Sequence, residues 1–131
     1  MIKFAYLVGR IIFGLYWLSA AFNHFKRLDY VAEYAKAKGV PSPKFAVAGS
    51  GVMLLMGGLS ILFGICPTIG IALLALFLLA VSFQIHNYWS VDDAQMRQVD
   101  QINFMKNMAL VGALLMLLAL PQPWLWSVWG K

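Results

Sequence analysis

Four apolar stretches leave this chain few possible folds. They run over residues 4–25, 45–64, 68–89 and 104–120, each close to the twenty or so residues that carry a helix across about 30 Å of hydrocarbon. The chain is 62% hydrophobic and 11% charged. Soluble domains hold about half and about a quarter, so lipid rather than water is the expected solvent. A length of 131 residues suits one domain, 1–131. The expected fold is an all-α integral membrane protein, a four-transmembrane-helix antiparallel bundle with a short interfacial helix between spans one and two. The first stretch has signal-peptide mimicry, with Lys3 and Arg10 as a basic region and Ser19-Ala20-Ala21 as a cleavage site, but it is read as a retained span.

The connections differ in kind. Cys66-Pro67 predicts a tight turn between spans two and three. In the first connection, Asp29 suits an N-cap, and Gly39 followed by Pro41 and Pro43 suits a C-terminal stop. Between them Tyr30, Val31, Tyr34 and Ala37 can share one face, opposite Glu33 and Lys36, as in a helix lying on the bilayer. Residues 90–101 read as a polar, acidic connection carrying Asp92, Asp93 and Asp100. Residues 121–129, with Trp124, Trp126 and Trp129, read as an aromatic anchor at headgroup level. Ser50, Gly57 and Gly64 in span two, and Ala109, Gly112 and Ala113 in span four, are read as strips for close backbone approach.

Seven Lys and Arg side chains fall on the two long connections and three (Lys3, Arg10, Lys131) on the other side. The positive-inside rule then puts both long connections in the cytoplasm and both termini outside. The +5 charge is spread over loops, with no basic tail or ladder for nucleic acid. The lone Cys66 permits no internal disulfide.

Alternating spans bring the end of span one, the start of two, the end of three and the start of four to one face. That face collects Asn23, His24, Lys26, Ser50, Gln84, His86, Asn87, Trp89, Lys106 and Asn107. Ser82 and His86 would sit one turn apart, with Gln84 and Tyr88 on another side. Of these, His24, Ser50, Gln84, His86, Asn87, Trp89, Lys106 and Asn107 are the candidate ligand-binding residues. A mouth of this kind suits a polar headgroup such as a quinone ring, with the apolar bundle holding a tail. The same residue types also serve as plain interfacial anchors and interhelix hydrogen bonds. Asn107, with apolar residues after it, reads as buried and holding two helices together.

Arg10 lies inside span one, on roughly one face with Gly14, Trp17, Ala21 and His24. It either snorkels to the near interface or pairs within the bundle, the first being favoured, with Trp17 offering its ring to the guanidinium. Arg10 and Trp17 are therefore structural or ion-pairing candidates. Two histidines without a flanking pattern are a weak signal for haem, and no metal site is read from the spacing. No phosphate loop, zinc spacing or Ser/His/Asp arrangement is legible, so the residues leave enzymatic activity open.

His86-Asn87-Tyr88-Trp89 followed by Ile102-Asn103-Phe104-Met105-Lys106-Asn107 and Gly112 resembles the DoxX family of small four-span membrane proteins, especially its YphA-like bacterial inner-membrane members. The arginine-bearing first span, Gly39-Val40-Pro41 and Gly64 fit as well. One departure concerns an acidic residue that many members carry in span two, whose position falls at about Leu54. Another is the end of span one, here Asn23-His24-Phe25-Lys26. The resemblance implies a multi-pass protein of the cell inner membrane, a small subunit of a quinone-linked or redox-linked complex. Such a subunit would have no intrinsic cofactor, with quinone as a ligand at most. Lipid, redox partner subunits and a second copy of the chain are the expected partners. The alternative implied by more distant relatives is a non-enzymatic adaptor or chaperone that recognises a partner protein.

Overall fold

A computed structural model describes residues 1–128; Trp129 of the expected anchor and Lys131 of the charge count lie outside the described residues. Five α-helices follow one another: α1 (Ile2–Lys26), α2 (Leu28–Ala37), α3 (Pro43–Phe63), α4 (Pro67–Gln84) and α5 (Ala94–Leu117), with one 3₁₀ turn at Tyr88–Ser90 before the last. There is no strand among the described residues. Three helical segments, Ile2–Lys26, Pro43–Phe63 and Pro67–Ser90, are long and apolar enough to cross a membrane. Their outer faces are apolar too: Ile2, Phe4, Ile12 and Phe22 of α1, Phe45 and Met56 of α3, and Leu76 and Phe83 of α4 are all exposed. Lipid-facing walls, not a water-soluble surface, account for this.

The helix ends follow from local chemistry. α3 stops at Gly64, which takes φ +68°, and α4 starts at Pro67 after Cys66 at φ +45°. This is the tight turn expected, and it makes α3 and α4 antiparallel neighbours. α2 runs into Gly39 at φ +80°, where the Gly39 and Val40 amides donate to the carbonyls of Lys36 and Ala35. The expected Asp29 cap does not form. α2 begins at Leu28, two residues earlier than an Asp29 cap requires, and Asp29 pairs with Lys44 at 2.7 Å across solvent instead. The buried face of α2 also differs from expectation. Ala32 and Ala35, flanked by Leu28 and Val31, pack on Val47, while Tyr30 and Tyr34 turn outward.

The largest departure is α5. Asp93 accepts the Met96 amide at 2.8 Å, and Arg97 donates to the carbonyls of Val91 and Asp92. This N-terminal lock starts the helix at Ala94, ten residues before the apolar stretch, so residues 94–101 are helix and not connection. α4 is correspondingly shorter. The Ile85 and His86 amides both turn to the Val81 carbonyl, and the chain leaves the helix before Tyr88, which therefore shares no face with Gln84.

The core gathers Trp17, Ala21, Leu54, Ile61, Ile71, Leu74, Leu78 and Leu114. Small residues allow it: a Cβ on Gly57 would collide with Leu74, and one on Gly14 would sit 2.8 Å from Leu62. The strip expected in span four does not serve this purpose. Gly112 has open space where a Cβ would stand. In space the helices form a row, with α1 on α3, α3 on α4 and α4 on α5, and α2 across the start of α3. The backbones of α1 and α5 do not meet, and two cavities occupy the gap between them.

Candidate functional site

The upper cavity, about 420 Å³, opens where α1 and α4 end and α3 begins, against the middle of α5. Six of the eight candidate ligand-binding residues line it: His24, Ser50, Gln84, His86, Lys106 and Asn107. Asn87 and Trp89 do not. Asn87 precedes the 3₁₀ turn, where its carbonyl accepts the Ser90 amide, and Trp89 stacks edge-on with Phe104 and Tyr88 at the surface. The lower wall is apolar, formed by Tyr16, Trp17, Phe77, Leu78 and Val81.

Behind the wall of the mouth, bonded to His86, stands a residue that the sequence places in the polar connection. Asp100 is 3% exposed, and its carboxylate accepts from Lys38 Nζ at 2.8 Å through Oδ2 and from His86 Nδ1 at 3.0 Å through Oδ1. Burial pushes the Asp100 carboxyl up, but the hydrogen bonds from His86 and Lys38, with their charges, outweigh it and hold the group below the usual carboxylate range. Asp100 stands above the apolar stretch of α5, three and seven residues before Asn103 and Asn107. Those spacings place all three on one helical face. The signal was present in the sequence, but it becomes visible only once α5 is run back to Asp93.

Hydrogen bonding settles the tautomers of both histidines in their neutral form. His24 Nδ1 lies 2.9 Å from the Ala20 carbonyl, which can only accept, so that nitrogen carries the proton. His86 Nδ1 donates likewise to an ionised carboxylate. Neither Nε2 has a protein partner, and neither is sealed among the buried unpaired atoms. In the neutral form each ring therefore has its lone pair on Nε2, and both rings line one cavity. Donors stand with them: Lys106 and Gln84 make only long contacts, 3.4 Å to Asn103 and 3.3 Å to the Lys38 carbonyl. Asn107 is buried as expected, but its side chain makes no hydrogen bond among the described residues, so it does not strap two helices together. Ser50 returns its hydroxyl to the Val47 carbonyl at 2.9 Å. Leu54, the position that the resemblance assigned to an acid in many members, is fully buried in the core.

Arg10 does not snorkel. It is 7% exposed and donates to the carbonyls of Leu125 and Trp126, at 2.6 and 3.0 Å, in the segment after α5. Its guanidinium lies 5.6 Å over the Tyr6 ring, not over Trp17. Trp17 is instead a core residue, stacked edge-on with Phe13 and Tyr16. The C-terminal segment is correspondingly no simple headgroup anchor. Trp124 is buried against Tyr6, the Val128 amide donates to the Phe63 carbonyl, and of the segment's two described tryptophans Trp126 keeps an exposed ring.

The DoxX family model matches residues 5–87. This chain belongs to the DoxX family. Membership and the three long apolar helices together point to a small integral membrane protein. The matched stretch ends beside His86, so α5 with Asp100, Lys106 and Asn107 lies beyond it. Comparison with curated proteins and with solved structures returned no significant match.

Proposed function

We propose that this DoxX-family protein is a small inner-membrane subunit of a quinone-linked or redox-linked complex, and that its mouth holds the headgroup of a quinone. The carrying observation is the pairing of opposite hydrogen-bonding characters on one cavity. The Nε2 atoms of His24 and His86 accept, and Lys106, Gln84 and Asn107 donate. A ring that alternates between carbonyl and hydroxyl needs both kinds of partner, and the apolar wall at Trp17, Phe77 and Leu78 suits its tail. No hydride or electron carrier belongs to the chain in this reading; a partner subunit supplies it.

The topology proposed with it is four crossings. Residues 104–117 are the apolar part of α5, and with the turn to Leu120 they complete a fourth span antiparallel to α4. Both long connections then face the cytoplasm.

The deciding experiment measures quinone carried through purification and the affinity of the protein for a short-tailed quinone. Co-extracted quinone, and an affinity lowered about tenfold in His86→Ala, are expected. Protein free of quinone, with an affinity indifferent to that substitution, overturns the reading in favour of an adaptor that recognises a partner protein.

A further inference from the structure

The lower cavity, about 490 Å³, lies between α1, α5 and the C-terminal segment at the end of the bundle away from the mouth. Its lining includes Arg10, Tyr6 and Trp124. Each of these carries a buried polar atom with no hydrogen-bond partner: Arg10 Nε, Tyr6 Oη and Trp124 Nε1. All three can donate. Three unpartnered donors on neighbouring rings and a guanidinium are unusual, because burying a donor without an acceptor forfeits its hydrogen bond to water.

The charge is a second and separate anomaly. Arg10 touches two neutral carbonyls and makes no ion pair among the described residues. The chain has five acidic side chains, and Asp29, Glu33, Asp92, Asp93 and Asp100 all lie on α2, before α5 or in its first turns, at the other end of the bundle. No acidic side chain of this protein can neutralise Arg10. Two carbonyls and the Tyr6 ring hold Arg10 without neutralising it, and a buried cation without a counter-charge is disfavoured, more so at membrane depth.

The remaining wall is hydrocarbon, including Phe13 and Met116. The cavity reaches the surface between the helices, where Gly9 leaves open space and Met116 is exposed. Its volume falls within the roughly 300–1,000 Å³ of small-molecule sites. We propose that it binds an amphiphilic acid, with a carboxylate or phosphate oxyanion beside Arg10, Tyr6 and Trp124 and the hydrocarbon body along Phe13 and Met116. The oxyanion supplies the missing counter-charge and accepts from the orphan donors. The gap between α1 and α5 gives an acyl chain lateral entry.

The test uses the full chain in neutral maltoside micelles at about pH 9, where a carboxylic acid is ionised. Dibromostearate serves as the probe, since bromine near Trp124 quenches its fluorescence. Binding about tenfold tighter than that of the dibromostearate methyl ester is expected, with displacement by dodecyl phosphate but not by inorganic phosphate. Arg10→Gln should abolish the preference for acid over ester. Because that variant also loosens the C-terminal segment, Ala113→Phe provides an independent arm. It fills the cavity wall and leaves Arg10 and its carbonyl bonds intact, and it should weaken acid and ester alike. Equal binding of acid and ester to the unaltered protein overturns the site. So does unchanged binding in Ala113→Phe. Displacement by inorganic phosphate as effective as by dodecyl phosphate overturns the amphiphile in favour of a free anion.

Discussion

His86 Nδ1 and Asp100 Oδ1 lie 3.0 Å apart, joining the segment just past α4 to the second turn of α5. The same carboxylate holds Lys38 from the connection after α2. One acid thereby ties three separate segments at the rim of the mouth and fixes which nitrogen His86 presents to the cavity.

That arrangement makes the mouth sensitive to acid. The native Asp100 carboxyl is held below its ordinary value, so its contribution to stability is complete above about pH 4, the unfolded range, and is lost as pH falls through the lower native value. Asp100→Asn keeps the shape and removes the charge. It should cost about 2 kcal/mol at neutral pH, as expected for hydrogen bonds to an ion. Thermal unfolding in detergent between pH 7 and pH 3 checks both points: the variant should lose the acid-dependent part of the slope, and an unchanged slope would remove Asp100 from the account.

The start of α5 rests on a single cap. Asp93→Ala deprives the Met96 amide of its acceptor and should cost about 1 kcal/mol. Because the cap is local, hydrogen exchange should quicken at residues 94–99 and remain slow beyond Asn107. Uniform exchange along α5 would mean that helix is held from its apolar end alone.

Two glycines with similar sequence surroundings should behave oppositely. A Cβ at Gly57 meets the fully buried Leu74, so Gly57→Ala is expected to destabilise by about 1–3 kcal/mol through overpacking. Gly112 faces open space, and Gly112→Ala should be neutral or stabilise by up to about 1 kcal/mol through helix propensity. Unfolding midpoints of the two variants decide it, and equal effects would refute the packing argument.

The contrast between those glycines shows where the residues themselves carried the fold and where they did not. Hydrophobic length and turn chemistry made the first three long helices, the Cys66-Pro67 turn and the Gly39 stop legible, because each depends on neighbours in sequence. Six of the eight mouth residues were legible for the same reason, since alternating helices bring their ends together. Asp100 was missed because a polar segment was taken for a loop, when an aspartate cap and an arginine reaching back to two carbonyls were enough to make it helix. Arg10 was misjudged for a different reason. Its partners are backbone carbonyls 115 and 116 residues away, and no spacing rule reports a carbonyl. Gly112 looked like a packing glycine because its pattern matched, but packing needs a neighbour, and α5 shows none there.

The orientation rests on charge counting and has a direct chemical test in the exposed thiol of Cys66, the one cysteine of the chain. Cys66 sits in the turn between α3 and α4, the end of the bundle opposite to Asp100 and His86. If both long connections face the cytoplasm, this turn faces outward, and a membrane-impermeant maleimide should label it in intact cells with the outer membrane opened. A second variant, Cys66→Ser with Ser90→Cys, moves the thiol to an exposed position beside the mouth. That variant should react only after the inner membrane is permeabilised. The reverse pattern would invert the protein in the membrane and put the mouth outside. Labelling of both sites from one side would break the antiparallel arrangement of spans on which the site is built.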